Sequence, residues 1–416
     1  MILEIRLSNF FSIKNEVVLD MRAGNGKSAQ MQRLLTNTFS YNDEQILKSA
    51  AIYGANASGK SNIIKAIRFC VSTIWFSHTN NENVIFDFVP FKFDGYQQKP
   101  SNFFIRFVIK GIEYEYSFSL TQKEIISEEL YYYPNGRRAK IFTRNENNGT
   151  TKSEIYSFAS AIRKPLDVAE NTSRKTLYIS RASQMDREIP KKIFRFFAEK
   201  IYIGYHTDTS IIERLFQFNK DVLLKALQIA DSDIVDIRML KQYVPAKTFS
   251  VDMLENKAKM EDAVQTQLIF LTYHKRNPKV PFNLTTEESA GTVLLFYMML
   301  TIIDAVKNNK IFIIDELGIS LHTKITEYIL NLFHASDSAQ IIYTTHNTNL
   351  LDFNILRKDQ IYFVNKKDDG SSDLYSLFDY KDFRDTMDVE KAYLQGRFDA
   401  IPYINDSAEN LKTIIQ

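Results

Sequence analysis

Cysteine is almost missing from this chain. Cys70 is the only one in 416 residues, so no internal disulfide forms and nothing points to an oxidising compartment. Between Phe69 and Val71 on a segment of helical spacing, Cys70 reads as a core residue. A surplus of one charge is missing too. The net charge of +2 excludes a uniformly basic nucleic-acid coat, though not a local basic patch. No stretch reaches the ~18 apolar residues that mark a membrane-spanning helix. The longest candidate, Val293 to Val306, is interrupted by Asp304. Residues Met1 to Leu7 alternate polar and apolar and lack the basic-then-apolar order of a signal peptide, so they predict a strand. The expectation is a soluble, cytoplasmic chain without a membrane partner. Internal repeats, low-complexity tracts, sustained heptads and Cys/His zinc spacings are also lacking. What remains, 44% hydrophobic and 25% charged residues, is the composition of an ordinary globular protein long enough for two or three domains.

Against that background one segment stands out. Gly54-Ala55-Asn56-Ala57-Ser58-Gly59-Lys60-Ser61 satisfies G-x4-G-K-[ST], with an apolar strand (Ala50 to Tyr53) before it and helical spacing from Asn62 to Ile67 after it. Such a loop cradles phosphates because its backbone N–H groups, from Asn56, Ala57, Ser58, Gly59 and on to Asn62, converge at a helix N-terminus. Lys60 would reach the β/γ-phosphates of ATP, and Ser61 would bind Mg²⁺.

The rest of the chain organises around this loop. Residues 1–20 read as a β-hairpin turning between Asn9 and Lys14. From about 86 to 160 the pattern becomes two-periodic and aromatic, as in Phe103 to Ile109 and Tyr114 to Leu120, which predicts an antiparallel sheet. Residues 190–232 return to helical spacing. A strand-like segment (Asp233 to Leu240) and a poorly patterned stretch to about 280 follow. The remainder alternates: helix 289–307, strand 310–314, helix 321–334, strand 340–344, a helix near 347–356, then strands Gln360 to Val364 and Leu374 to Leu377. Lys366 to Gly370 reads as a hairpin turn rather than a metal site. The expected domains are 1–80 with the phosphate loop, 81–165 as an antiparallel β lobe, 166–280 as a mainly helical insertion, and 281–416 as a C-terminal lobe.

Further polar residues fall at strand ends. Lys310 to Ile314 is an apolar strand ending in Asp315-Glu316. There Asp315 can hold Mg²⁺, and Glu316 can polarise the water that attacks a γ-phosphate. Taken alone, an acidic strand end is as readily mere solvation. Ile341 to Thr345 is a second such strand, and His346 after it is either structural or a γ-phosphate sensor. Ser289 and Gly291 precede a long apolar helix. They are either an N-cap or a second anion site at a helix N-terminus.

These segments together resemble the ABC/SMC-type ATPase heads. They are more similar still to head-only ATPases of bacterial phage-defence operons: the AbiL and Rlo ATP-binding subunits, the PARIS AriA subunit and, more distantly, the overcoming-lysogenisation-defect nucleases. The resemblance runs through Asn9-Phe10 with Ser12, Tyr53 to Asn62, Glu288 to Thr292, Asp315 to His322, Thr344 to Asn347, Asp359 to Phe363, Tyr393 to Phe398 and Ala400 to Pro402. It implies an α/β fold, an ABC/SMC-type P-loop ATPase head with an antiparallel β lobe and a helical insertion. It also implies a catalytic set of Lys60, Glu316 and His346, Mg²⁺ on Ser61 and Asp315, and a nucleotide shared between the loop of one subunit and Ser289 and Gly291 of another. His322 falls at the position that crosses such an interface, or is a helix cap. Ser289-Ala290-Gly291-Thr292 departs from the Ser-Gly-Gly of transport cassettes, and the glutamine lid loop of the group is not identifiable here, which leaves one Mg²⁺/water contact unassigned.

The implied role is a homodimeric or larger sensor and scaffold. It would answer a phage protein or nucleic-acid trigger and control a separately encoded effector, a toprim-type nuclease. A relative that carried its own nuclease would need an acidic metal-binding domain after the core, whereas the residues after His346 are needed to finish the sheet. The alternative is a DNA-maintenance ATPase of the recombination-mediator type. Ten Lys/Arg against five acids in 163–200, interspersed with Tyr178, Phe194, Phe196 and Phe197, could contact DNA or form solvated helix faces. A transporter subunit fits least, because the 80–280 insertion is large and no membrane-coupling segment is evident.

Overall fold

The computed structural model describes residues 1–24, 29–230, 232–252, 257–384, 386–402 and 407–415. The chain divides into two compact units: Met1–Ile203 with Asn309–Leu317 and Leu330–Gln416, and Gly204–Asn308 with Gly318–Ile329.

Two sheets build the first unit. One is antiparallel, in the order Tyr156–Phe158, Ala139–Asn145, Ile125–Tyr133, Ile112–Leu120, Ser101–Ile109, Ile2–Ser8, Val17–Asp20. Its strands alternate: Phe103, Ile105 and Phe107 are buried while Asn102 is exposed. The apolar face is covered by the helix Glu188–Lys200, whose Phe196 stacks on Phe107 at 4.9 Å. Aromatic pairs of this kind add about 0.5–1.5 kcal/mol beyond area burial.

The other sheet runs Ile201–Ile203, Ile311–Ile314, Gln340–Thr344, Ser49–Gly54, Ile361–Lys366, all parallel, with Ser372–Ser376 antiparallel at the edge. Every residue of Ser49–Gly54, Ile311–Ile314 and Gln340–Thr344 is buried. Parallel strands covered on both faces need continuous apolar runs, which these sequences supply. The ladder pairs Ile314 with Tyr343, Thr344 with Ile52, and Val364 with Gly54, so these strands end along one edge. Beneath the central strand lies a polar knot. Ser49 Oγ is 2.9 Å from His334 Nε2, and Lys48 Nζ donates to the carbonyls of His334 (2.8 Å) and Ser336 (2.6 Å). Burial, with a smaller contribution from Lys48, drives the His334 imidazole down to about 3.

The second unit packs the helix Thr209–Ile229 against the helix Ala290–Lys307, with a sheet of Ile234–Asp252, Lys257–His274 and Asn277–Asn283. Phe270 of the sheet touches Phe216 (5.1 Å) and Phe296 (4.7 Å), one from each helix. Ala290–Lys307 is long and apolar enough to cross a membrane by length and composition alone, with a mean hydropathy of 1.6, and half of it is buried. Its 18 residues exceed the apolar run read from the sequence because Ser289 caps it before Val293.

Several expectations need correction. Only the first half of the 166–280 insertion is helical, since Ile234–Asp252 and Lys257–His274 form a long β-ribbon with Asn277–Asn283 as its return strand. Near the helices Ile234, Ile237, Phe270 and Tyr273 are buried, but farther out Leu240, Tyr243 and Val264 are exposed. A ribbon with no buried face there has no reason to alternate. The contiguous lobes also give way: residues 2–20 join the antiparallel sheet, and the phosphate-loop strand pairs with strands beyond residue 339. Ile201–Ile203, read within a helical stretch, is an edge strand. The helix near 347–356 shrinks to a 3-10 turn at Thr348–Leu350. Asp352 Oδ1 accepts from the Asn354 N–H at 2.8 Å, the local side-chain competition that disfavours helix.

Candidate functional site

The phosphate-loop sequence lies between the strand Ser49–Gly54 and the helix Lys60–Phe76. Gly59 adopts φ 107°, and a Cβ there would lie 2.1 Å from Ser372 Oγ. At Gly54 a Cβ would lie 2.5 Å from the Val364 carbonyl oxygen. Both positions therefore require glycine. Ala57 also has positive φ, 62°, a left-handed conformation uncommon outside glycine. Lys60 Nζ donates to the carbonyls of Gly54 (2.8 Å) and Ala55 (2.9 Å), curling back along the loop. Burial lowers its proton affinity, while Glu316 and Asp315 oppose that shift.

On one flank, Thr344 organises the acidic strand end. Its Oγ1 donates to Asp315 Oδ1 at 2.5 Å and accepts from the Glu316 N–H at 2.7 Å. Leu317 N–H reaches the Thr344 carbonyl at 2.8 Å, and Thr345 Oγ1 donates to the Leu317 carbonyl at 3.0 Å. Glu316 is held at φ 57°, a left-handed conformation that a non-glycine residue adopts only when its surroundings impose it. His346 sits below its ordinary value, mainly through burial and next through Lys60, with Glu316 and Asp315 pulling the other way.

The other flank comes from a turn distant in sequence. The turn after Ile361–Lys366 closes on the loop: Ser372 Oγ donates to the Ser58 carbonyl at 2.5 Å and lies 2.7 Å from Ser12 Oγ. Asn62 Nδ2 donates to the same Ser12 hydroxyl at 2.7 Å. Between the flanks opens a cavity of about 530 Å³, and Asn56, Ala57, Gly59, Lys60, Ser61, Asn62, Glu316 and His346 lie on its wall, as do Ser12, Lys366 and Gly370. Gly54, Ser58 and Asp315 are not on the wall, although the charge of Asp315 is felt at Lys60 and His346. The Ser58 hydroxyl is buried without a hydrogen-bond partner among the described residues. A glycine-lined cradle at a helix N-terminus fits a polyphosphate. The Ser61 hydroxyl and the Asp315 carboxylate are oxygen donors of the kind that suits a hard divalent cation held jointly with phosphates. Among the described residues no group of three or more His, Cys, Asp or Glu could hold a metal alone.

Ser289 and Gly291 belong to the second unit. Ser289 Oγ accepts from the Thr292 N–H at 3.1 Å, so the N-cap reading is realised. Ser289, Gly291 and Thr292 also line a cavity of about 280 Å³ with His274, Ser320 and His322. His274 Nε2 meets Glu288 Oε1 at 2.8 Å and its Nδ1 meets Asp233 Oδ1 at 2.7 Å. Burial pulls His274 down, but the two carboxylates outweigh it and the imidazole is raised. His322 Nδ1 accepts from the Lys324 N–H at 3.2 Å, capping the helix Thr323–His334.

Much of the basic charge in 163–200 is spent within the unit. Arg174 pairs with Glu124 at 2.8 Å, Arg187 with Asp167 at 2.7 Å, Lys192 with Glu188 at 2.6 Å, and Lys191 with Asp186. Lys175 Nζ donates to the Val84 carbonyl at 2.5 Å.

The parallel sheet, the glycine cradle and the acidic and histidine strand ends define an α/β P-loop ATPase head of the ABC/SMC type. More specifically, the chain belongs to the family described as "AAA domain, putative AbiEii toxin, Type IV TA system", whose model matches residues 49–352, more than half of the 416. No curated protein matches. Among solved structures, the chain is similar to an SMC head bound to the C-terminal winged-helix domain of ScpA. The identity there is 17%, covering 94% of this chain and 99% of that one, with a TM-score of 0.40. The SMC head domain of Thermotoga maritima shares 13% identity over 90% and 98%, with a TM-score of 0.39. An SMC head with coiled coil and joint from Pyrococcus yayanosii shares 12% over 95% and 99%, with a TM-score of 0.40.

Proposed function

We propose that the chain is the ATP-binding and ATP-hydrolysing sensor subunit of a cytoplasmic bacterial anti-phage system, and that ATP-dependent pairing of its heads controls a separately encoded toxic effector. The observation that carries the ATPase reading is one cavity bringing Lys60, Ser61, Glu316 and His346 together at the carboxyl edge of a parallel sheet. The family description, with its toxin–antitoxin context, supports the defence setting.

In this reading the loop N–H groups and Lys60 bind the phosphates, and Ser61 and Asp315 hold Mg²⁺. The metal, when bound, neutralises charge that develops on the phosphate oxygens. Glu316 accepts a proton from the attacking water as its oxygen bonds to the γ-phosphorus. The bond to the β–γ bridging oxygen breaks, giving ADP and phosphate. His346, kept neutral by burial, offers a ring N–H to the γ-phosphate. Catalysis of this type is chiefly positioning and electrostatics, which suits a glutamate locked by backbone geometry. Ser289 and Gly291 act in trans: their helix N-terminus meets the nucleotide held by a second copy, so ATP joins the heads and hydrolysis releases them. The output is a change in the population of paired heads. The effector is a toprim-type nuclease.

The test is purification of the Glu316→Gln protein from its native host in ATP, identifying bound protein and nucleic acid. A stoichiometric protein with a nuclease active site supports the sensor reading. DNA without a protein partner moves the assignment to a DNA-maintenance ATPase. The internal pairing of Arg174, Arg187, Lys191 and Lys192 argues against a free basic face of the kind that second reading needs.

A further inference from the structure

The turn joining Ile361–Lys366 to Ser372–Ser376 does more than reverse the chain. Val364 pairs with Gly54 in the parallel ladder, so Lys366, two residues on, lies past the carboxyl edge beside the phosphate loop. The turn is pinned there from several sides. Ser372 donates its N–H to the Ser12 carbonyl (2.7 Å) and its hydroxyl to the Ser58 carbonyl (2.5 Å). Asp369 accepts from Lys14 Nζ (2.8 Å) and from the Ser371 N–H (3.0 Å). Neighbouring Lys367 is tied to Asp373 at 2.8 Å. Lys366 has no side-chain partner among the described residues, is exposed, and lines the cavity of Lys60 and Ser61.

Which part of a nucleotide it meets follows from the strand order. The loop strand Ser49–Gly54 lies between Gln340–Thr344 on one side and Ile361–Lys366 on the other. Glu316 and His346 belong to the first side, and Lys366 and Gly370 to the second. A nucleotide whose γ-phosphate faces Glu316 and His346 therefore directs its α-phosphate and ribose toward the Lys366 side.

We propose that Lys366 is a nucleotide-binding residue that contacts the α-phosphate end of the bound nucleoside phosphate. This rests on the ATPase reading above. An ammonium on a mobile stem, presented by a fixed turn, adds a charge-assisted contact that ATP and ADP share. It strengthens substrate and product binding alike and leaves the chemical step alone.

Equilibrium titration of a fluorescent ATP and a fluorescent ADP, at fixed Mg²⁺ and salt, tests this on the full chain. Lys366→Ala is expected to weaken both nucleotides about tenfold, the scale of one charge-assisted hydrogen bond, with unchanged thermal melting. Lys366→Arg should keep most of the affinity. Wild-type affinity for both nucleotides in Lys366→Ala, while Lys60→Ala loses binding, overturns the role of Lys366 and leaves the ATPase reading intact. A loss confined to ATP places Lys366 at the γ end and also overturns the proposal. Normal binding by Lys60→Ala removes the ATPase reading, and this inference with it.

Discussion

The hydroxyl of Thr344 donates to Asp315 Oδ1 at 2.5 Å while accepting from the backbone N–H of Glu316 at 2.7 Å. One buried side chain on the strand Gln340–Thr344 thus holds the Asp315 carboxylate and the Glu316 backbone that end the neighbouring strand. Thr344→Val keeps the shape and removes the hydroxyl, leaving a carboxylate oxygen and an N–H without their partner. Each unmade bond of this kind costs about 1–3 kcal/mol. The expected result is a drop in kcat of about 10- to 100-fold with little change in ATP affinity, read by comparing turnover with equilibrium binding. Equal loss of both would mean that Thr344 shapes the loop rather than the acidic strand end.

Gly59→Ala places a methyl group 2.1 Å from Ser372 Oγ at a backbone φ of 107°. Either the loop or the turn must move. Nucleotide affinity is expected to fall by about 100-fold, since strain of roughly 1–3 kcal/mol adds to the lost cradle geometry. Nucleotide titration against the wild type checks it, and near-normal affinity would show that the turn does not brace the loop.

Ser289→Arg is expected to stop hydrolysis while the monomer keeps its affinity for ATP, because in the proposed arrangement Ser289 serves the nucleotide of another copy. Steady-state turnover and titration at concentrations below dimer formation separate the two. Weakened binding by the isolated monomer would contradict the trans arrangement.

Burial of His334 gives a pH signature independent of catalysis. Its folded-state value of about 3 lies below the ordinary 6.5. Above 6.5 the imidazole is neutral in both folded and unfolded chains and costs nothing. As pH falls through 6.5 toward 3, the unfolded chain takes up a proton that the folded chain refuses, and stability is lost. Between pH 7.5 and 5 the loss from this residue is about 2 kcal/mol. Denaturant unfolding at both pH values should show a smaller acid penalty in His334→Gln than in the wild type, and equal penalties would mean that His334 is protonated in the fold.

How much of this could be read from the sequence depends on the range of the signal. The phosphate loop is local: its glycines, Lys60, and the strand and helix that flank it lie within the one segment Ser49–Phe76, and the flanking strand and helix are formed as read. The strands ending in Asp315 and Thr344 were legible because burial on both faces leaves continuous apolar runs. The ribbon of Ile234–Asp252 and Lys257–His274 was not, because Leu240, Tyr243 and Val264 are exposed and impose no period there. The cavity role of the turn after Lys366 was equally hidden, since only the ladder pairing of Val364 with Gly54 brings it to the loop. Thr344 stands within the segment Thr344 to Asn347, but its double hydrogen bond arises from strand register. The clasp of His274 between Asp233 and Glu288 joins residues far apart in sequence with no motif to announce them.

The central claim is that Glu316 drives hydrolysis at a site whose binding is done by Lys60 and its loop. The most direct test is one titration and one turnover assay on Glu316→Gln. Wild-type affinity for Mg²⁺–ATP, with turnover reduced by about 10²–10⁴-fold as expected for a lost general base, is the predicted result. Hydrolysis at the wild-type rate would contradict the account.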